Sequence, residues 1–163
     1  MLQEAVARVA AISGTTWTYV GPAAEPHSSQ LPKAAMKQYP PVNIGWSDRS
    51  RSDLLAKTAP SSLGVARTKW LGMAYSDGSR KAVNVGAVVA LDRAKRLPLR
   101  GGMSWKAVAL HELGHAMGLA HVEDRTQLLN AALPAGLGDL QAGDRAGLVA
   151  LGRSAGCVVV PGI

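Results

Sequence analysis

Three of the four histidines in this chain fall within one stretch of eleven residues, HELGHAMGLAH, from His111 to His121. Side chains four apart lie on the same face of an α-helix, with Cβ atoms about 5–6 Å apart. His111 and His115 meet that condition if the stretch is helical. His121 does not, because a third side chain from the same straight helix would point elsewhere. The chain must therefore stop being helical and fold back between His115 and His121. Gly118 stands where that reversal is needed, and glycine takes a positive φ at little cost.

Two imidazoles at this separation can converge on one ion, with Zn–N bonds of about 2.0–2.1 Å. A third histidine returning past Gly118 completes a set of three neutral ligands. Three ligands leave a tetrahedral zinc one open position for water, whose pKa the ion lowers toward about 7. Glu112 follows the first histidine and fits the role of general base toward that water and proton donor to a leaving amine. A bare H-E-x-x-H can arise in a helix by chance. The added glycine and third histidine, on a well-capped helix, make chance a poor account. Structural zinc sites are usually closed by four protein ligands, and no fourth ligand is evident nearby.

The rest of the chain supplies a mixture of elements. Leu2, Val6, Val9 and Ala10 recur at helical spacing, and Gly14 ends the run. TTWTYVG (15–21) reads as a strand from its β-branched and aromatic content. Residues 21–41 hold five prolines and read as an irregular connection, with a short helix near Lys33–Gln38. Strands are expected at Val42–Ser47, at Leu63–Tyr75 with a break at Gly72, and at Lys81–Asp92. The polar loop after Ser47 has room for one helical turn. Ser104 is the expected N-cap of the motif helix, and Asp144 that of a last helix. Val158–Val160 is expected to lie in a short closing strand. A helix, several strands and two later helices indicate an α+β chain, read here as a single domain over 1–163.

The pattern H-E-x-x-H-x-x-G-x-x-H is the extended zincin signature, and with it the chain resembles the metzincin metallopeptidases, in particular the matrixin-type catalytic domain of bacterial style. The resemblance implies a mixed, twisted β-sheet packed on an N-terminal helix and the zinc-site helix, with a C-terminal helix. It implies His111, His115 and His121 as Zn2+ ligands and Glu112 as the catalytic acid/base of a zinc endopeptidase. It also implies a peptide or protein substrate laid antiparallel along an exposed edge strand within Leu63–Leu71. The pocket beside the metal would then be lined by the motif helix and Asn130–Leu133, with a secreted location. Two features depart from the family. Leu129 stands where the methionine of the metzincin turn is expected. Val122 after the third histidine matches no usual branch. No tyrosine follows Tyr75 to serve as the extra ligand of the astacin-like and serralysin-like branches, which favours a matrixin-like or a divergent small bacterial branch.

Composition narrows the alternatives. Apolar residues make up 47% of the chain, so it can build a core. The net charge of +7 comes from scattered rather than clustered basic residues, which argues against a nucleic-acid module. The single cysteine, Cys157, excludes an intrachain disulfide and reads as a buried, inert thiol. No apolar run is long enough for a membrane span. The N-terminal stretch reads as an amphipathic helix rather than a signal peptide. The expected state is a monomer. His27 reads as a surface residue, Glu123 and Asp124 as solvated carboxylates, and Trp70 and Trp105 as packing residues. The competing functional reading, which the Leu129 departure supports, is a catalytically weak zinc protein that uses the same cleft for binding.

Overall fold

The structure is a computed structural model, and it describes residues 1–33, 39–97 and 103–155. The first helix, α1 (Leu2–Ser13), ends at Gly14, whose φ of 68° is left-handed, as the sequence predicts. Ala5 and Val9 are fully buried on its inner face. The expected strand at 15–21 does not form. Tyr19 and Val20 are 71% and 70% exposed, and only Trp17 turns in to pack on the core. Strand propensity reflects fit to a pleated, half-buried surface, and among the described residues no neighbouring strand offers one here.

Among the described residues three strands make the sheet: β1 (Asn43–Ser47), β2 (Gly64–Ala74) and β3 (Arg80–Asp92), in the order β1-β3-β2. β1 runs parallel to β3, with Asn43 opposite Val88 and Ser47 opposite Asp92. β2 runs antiparallel to β3, from Gly64 opposite Leu91 to Ala74 opposite Arg80. β2 is not broken at Gly72. The irregularity lies between Lys69 and Trp70, where β3 carries Val85 as an extra residue between Asn84 and Gly86.

Alternation along the strands separates two faces. Ala87, Val89 and Leu91 of β3, with Ile44 and Trp46 of β1, join the core formed with the helices. Val88 and Ala90 point to the opposite face and are also fully buried. That second face is covered by the proline-rich stretch and by α2 (Asp53–Ala56), the single helical turn expected in the polar loop. Asn43 Nδ2 donates to the Ala24 carbonyl at 2.8 Å, and Ser47 Oγ to Glu25 at 2.7 Å. Leu54 and Leu55 bury their side chains there.

The motif helix, α3 (Trp105–Met117), begins as expected at Ser104, whose Oγ accepts the Ala107 amide at 3.1 Å. It lies between the sheet and α1, so residues on nearly every side of it are buried. Trp105 meets Trp46 edge to face, with centroids 4.7 Å apart. The last helix, α4 (Ala142–Leu151), is capped by Gln141 rather than by Asp144. Asp144 is its third residue, and its carboxylate accepts the Gln141 amide at 2.8 Å in a capping box. The expected helix near Lys33–Gln38, Cys157 and the closing strand at Val158–Val160 fall wholly or largely outside the described residues. Among the described residues no helix is long and apolar enough to cross a membrane.

Candidate metal centre

His111 and His115 leave α3 on one face, one turn apart. Gly118 then ends the helix with φ 112°, and its amide donates to the His115 carbonyl at 2.9 Å. The chain folds back and delivers His121 to the other two. The three Nε2 atoms form a compact triangle: His111 to His115 3.1 Å, His111 to His121 3.2 Å, and His115 to His121 3.0 Å. His111 is buried, His115 half-buried and His121 exposed, so the triangle opens to solvent on one side.

Backbone carbonyls fix which nitrogens meet. His111 Nδ1 donates to the Leu128 carbonyl at 2.7 Å, and His115 Nδ1 donates to the Leu119 carbonyl at 2.7 Å. A carbonyl only accepts, so the proton of each neutral ring sits on Nδ1 and each Nε2 presents a lone pair. Burial pushes the His111 pKa down to about 4, and burial also lowers that of His115. Both rings are therefore neutral near pH 7. Two lone pairs 3.1 Å apart with no proton between them repel each other unless a cation separates them. A tetrahedral zinc with bonds of about 2.0–2.1 Å asks for ligand nitrogens roughly 3.3 Å apart. The observed triangle is within a few tenths of an ångström of that, and three imidazoles are a suitable donor set for the ion.

The turn after His121 is held from below. Val122 bridges to Asn130, its amide donating to the Leu129 carbonyl at 3.1 Å. Asn130 Nδ2 donates to the carbonyls of Val122 at 2.9 Å and Glu123 at 3.0 Å. Asp144 accepts the amides of Leu128 at 2.8 Å and Leu129 at 3.2 Å. Leu129, where the methionine was expected, is 1% exposed and packs on Gly114 of α3. A Cβ at Gly114 would stand 3.0 Å from Leu129 Cδ2, so the glycine makes room for the leucine.

Glu112 projects from α3 toward β2. A Cβ at Gly64 would meet Glu112 Cγ at 3.0 Å and Oε1 at 3.1 Å, so the glycine leaves room for this close approach. Burial pushes the Glu112 pKa up to about 8, against a hydrogen bond from the Ala66 amide that pulls it down. Such a carboxyl can hold or release a proton near neutral pH. Further along β2, Trp70 covers Gly118, where a Cβ would stand 2.9 Å from the indole. β2 thus runs beside α3 from Glu112 to the turn that carries His121.

The structure brings His111, His115 and His121 together, and Glu112, next to His111 on α3, faces β2. Asp124 is not part of it: its carboxylate holds Thr126 and Gln127. His27 is more than a surface residue, because it caps a 3-10 turn at Ser28–Gln30 and lies 3.3 Å from Asp53. Sequence reasoning missed the carbonyls of Leu128 and Leu119, which leave no trace in side-chain identity. It read Asp144 only as a helix cap and Asn130 only as pocket lining. Compared with known proteins, residues 30–151 match the family model described as matrixin. No curated protein and no solved structure matches the chain.

Proposed function

The chain belongs to the matrixin family, and on that premise we propose that it is a zinc-dependent endopeptidase. One observation carries the proposal: three histidine Nε2 atoms lie 3.0–3.2 Å apart, two of them held as lone-pair donors by backbone carbonyls. His111, His115 and His121 hold the ion. When bound, zinc supplies acidification of a coordinated water and polarisation of the scissile carbonyl.

The chain's own residues do the remainder. Glu112 takes the proton from the attacking water and delivers it to the leaving amine, a role its raised pKa suits. β2 is an edge of the sheet and passes Glu112, which supports an extended substrate peptide pairing along Leu63–Leu71. α3 and Asn130–Leu133 flank the pocket for the side chain after the cleaved bond. Family membership supports a secreted location. Leu129 is buried against Gly114 of the helix that carries His111 and His115, which supports an intact floor and favours activity over a purely binding role.

The test is a peptide-library digest of the zinc-loaded protein with zinc content measured in parallel. Cleavage should stop with 1,10-phenanthroline and fall at least about a hundredfold in Glu112→Gln, which keeps its zinc. Stoichiometric zinc with no cleavage of any peptide would leave the binding-only reading in its place.

A further inference from the structure

We propose that the substrate segment lying along β2 is acidic, and that Arg67 and Lys69 select it. This rests on the endopeptidase reading for the position of the substrate and adds its chemical class. Gly64, Ala66 and Trp70 of β2 face α3, as their contacts with Glu112, the core and Gly118 require. The alternate positions Arg67 and Lys69 therefore point to the other face of the sheet. Opposite them on β3 stand Val88 and Gly86, neither of which can neutralise a cation. Among the described residues neither side chain has a hydrogen bond or ion pair.

Six of the chain's eleven acids are engaged elsewhere. Glu25, Asp48, Asp53 and Asp92 lie with Arg49, Arg51, Lys57 and Arg93. Asp139 pairs with Arg8, and Asp144 is spent on backbone amides. Two uncompensated positive charges thus flank the edge within three residues of Ala66, about 10 Å of strand. A peptide paired antiparallel with β2 places every second side chain on the same face as Arg67 and Lys69. Aspartate or glutamate at those alternate positions meets complementary charge, and lysine or arginine meets like charge.

The experiment measures binding and cleavage separately. Fluorescence anisotropy on zinc-supplied Glu112→Gln protein compares labelled peptides that differ only in glutamate, glutamine or lysine at two alternate positions. The glutamate peptide should bind about 3- to 10-fold more tightly than the glutamine one at low salt. The preference should shrink as salt rises and reverse toward lysine in Arg67→Glu/Lys69→Glu. In Arg67→Gln/Lys69→Gln it should vanish. Arg145→Glu/Arg153→Glu makes the same change in net charge away from β2 and should preserve the preference. Equal binding of all three peptides overturns the proposal, as does an equal loss in the Arg145/Arg153 control. With the wild-type enzyme, kcat/KM should follow the same order. If binding follows the charges while wild-type protein cleaves nothing, the hydrolase reading fails and the acidic-peptide surface stands.

Discussion

The carboxylate of Asp144 accepts the Leu128 amide at 2.8 Å, and the carbonyl of Leu128 in turn accepts Nδ1 of His111 at 2.7 Å. The capping-box carboxylate of the last helix is thereby connected, through the single residue Leu128, to the orientation of a metal-site imidazole. The same carboxylate holds the Leu129 amide and the first turn of α4. Asp144→Ala leaves these buried donors unmatched and should lower stability by about 2–4 kcal/mol in urea denaturation. It should also weaken zinc binding, read by competition with a chelating dye, by about tenfold or more. Asp144→Asn should fall between the two proteins in both measurements.

Leu129 and Gly114 form a size-matched pair. Leu129→Met preserves volume and should change stability by less than about 1.5 kcal/mol, with peptide cleavage retained. Gly114→Ala drives a methyl to 3.0 Å from Leu129 Cδ2 and should cost about 1–3 kcal/mol. Combining Gly114→Ala with Leu129→Val should cost less than the sum of the single changes, because the two share one contact. Thermal melts of the four proteins check this; strict additivity would mean that the contact does not carry the effect.

Gly118 is constrained twice. Its φ of 112° disfavours any side chain, and a Cβ would lie 2.9 Å from the Trp70 ring. Gly118→Ala should lose about 1–3 kcal/mol of stability. Because the residue redirects the chain toward His121, zinc stoichiometry should drop while His111 and His115 stay on their helix. Trp70→Ala in the same protein should recover only the steric part of the loss.

Two buried groups give the metal-free protein opposite pH dependences. The folded-state pKa of His111 is depressed to about 4, so the unfolded chain takes up the proton first as pH falls. The stability this neutral ring favours is present above about 6.5 and lost between about 6.5 and 4. Glu112 is raised to about 8, so the stability favoured by its protonated form is full below about 4.5 and lost as pH rises to about 8. Denaturation of zinc-free protein across pH 4–9 should show both flanks. Glu112→Gln should abolish the alkaline flank and be more stable than wild type at pH 8 by on the order of 2–4 kcal/mol. An unchanged alkaline flank would assign it to another group.

Added zinc should raise the melting temperature of wild type and leave a His121→Ala variant much less affected, since binding to the folded state stabilises by mass action. The effect should weaken as pH falls toward 4, where His111 takes up a proton and can no longer bind the ion.

By itself the sequence determined the local and periodic features. Helical spacing placed His111 and His115 together, Ser104 and Gly118 bounded α3, and strand alternation located β1, β2 and β3. These follow from neighbours within a few residues, which backbone geometry brings together in any context. Only the tertiary structure decided whether residues 15–21 had a strand to pair with, and among the described residues they have none. It also decided that Asp144 and the Leu128 carbonyl, 16 and 17 residues from the groups they hold, and Asn130, 8 residues from Val122, would keep the site in place. Such contacts join backbone groups that every residue carries to side chains far along the chain. Their pairing is therefore selected by packing, and residue identity alone does not encode it.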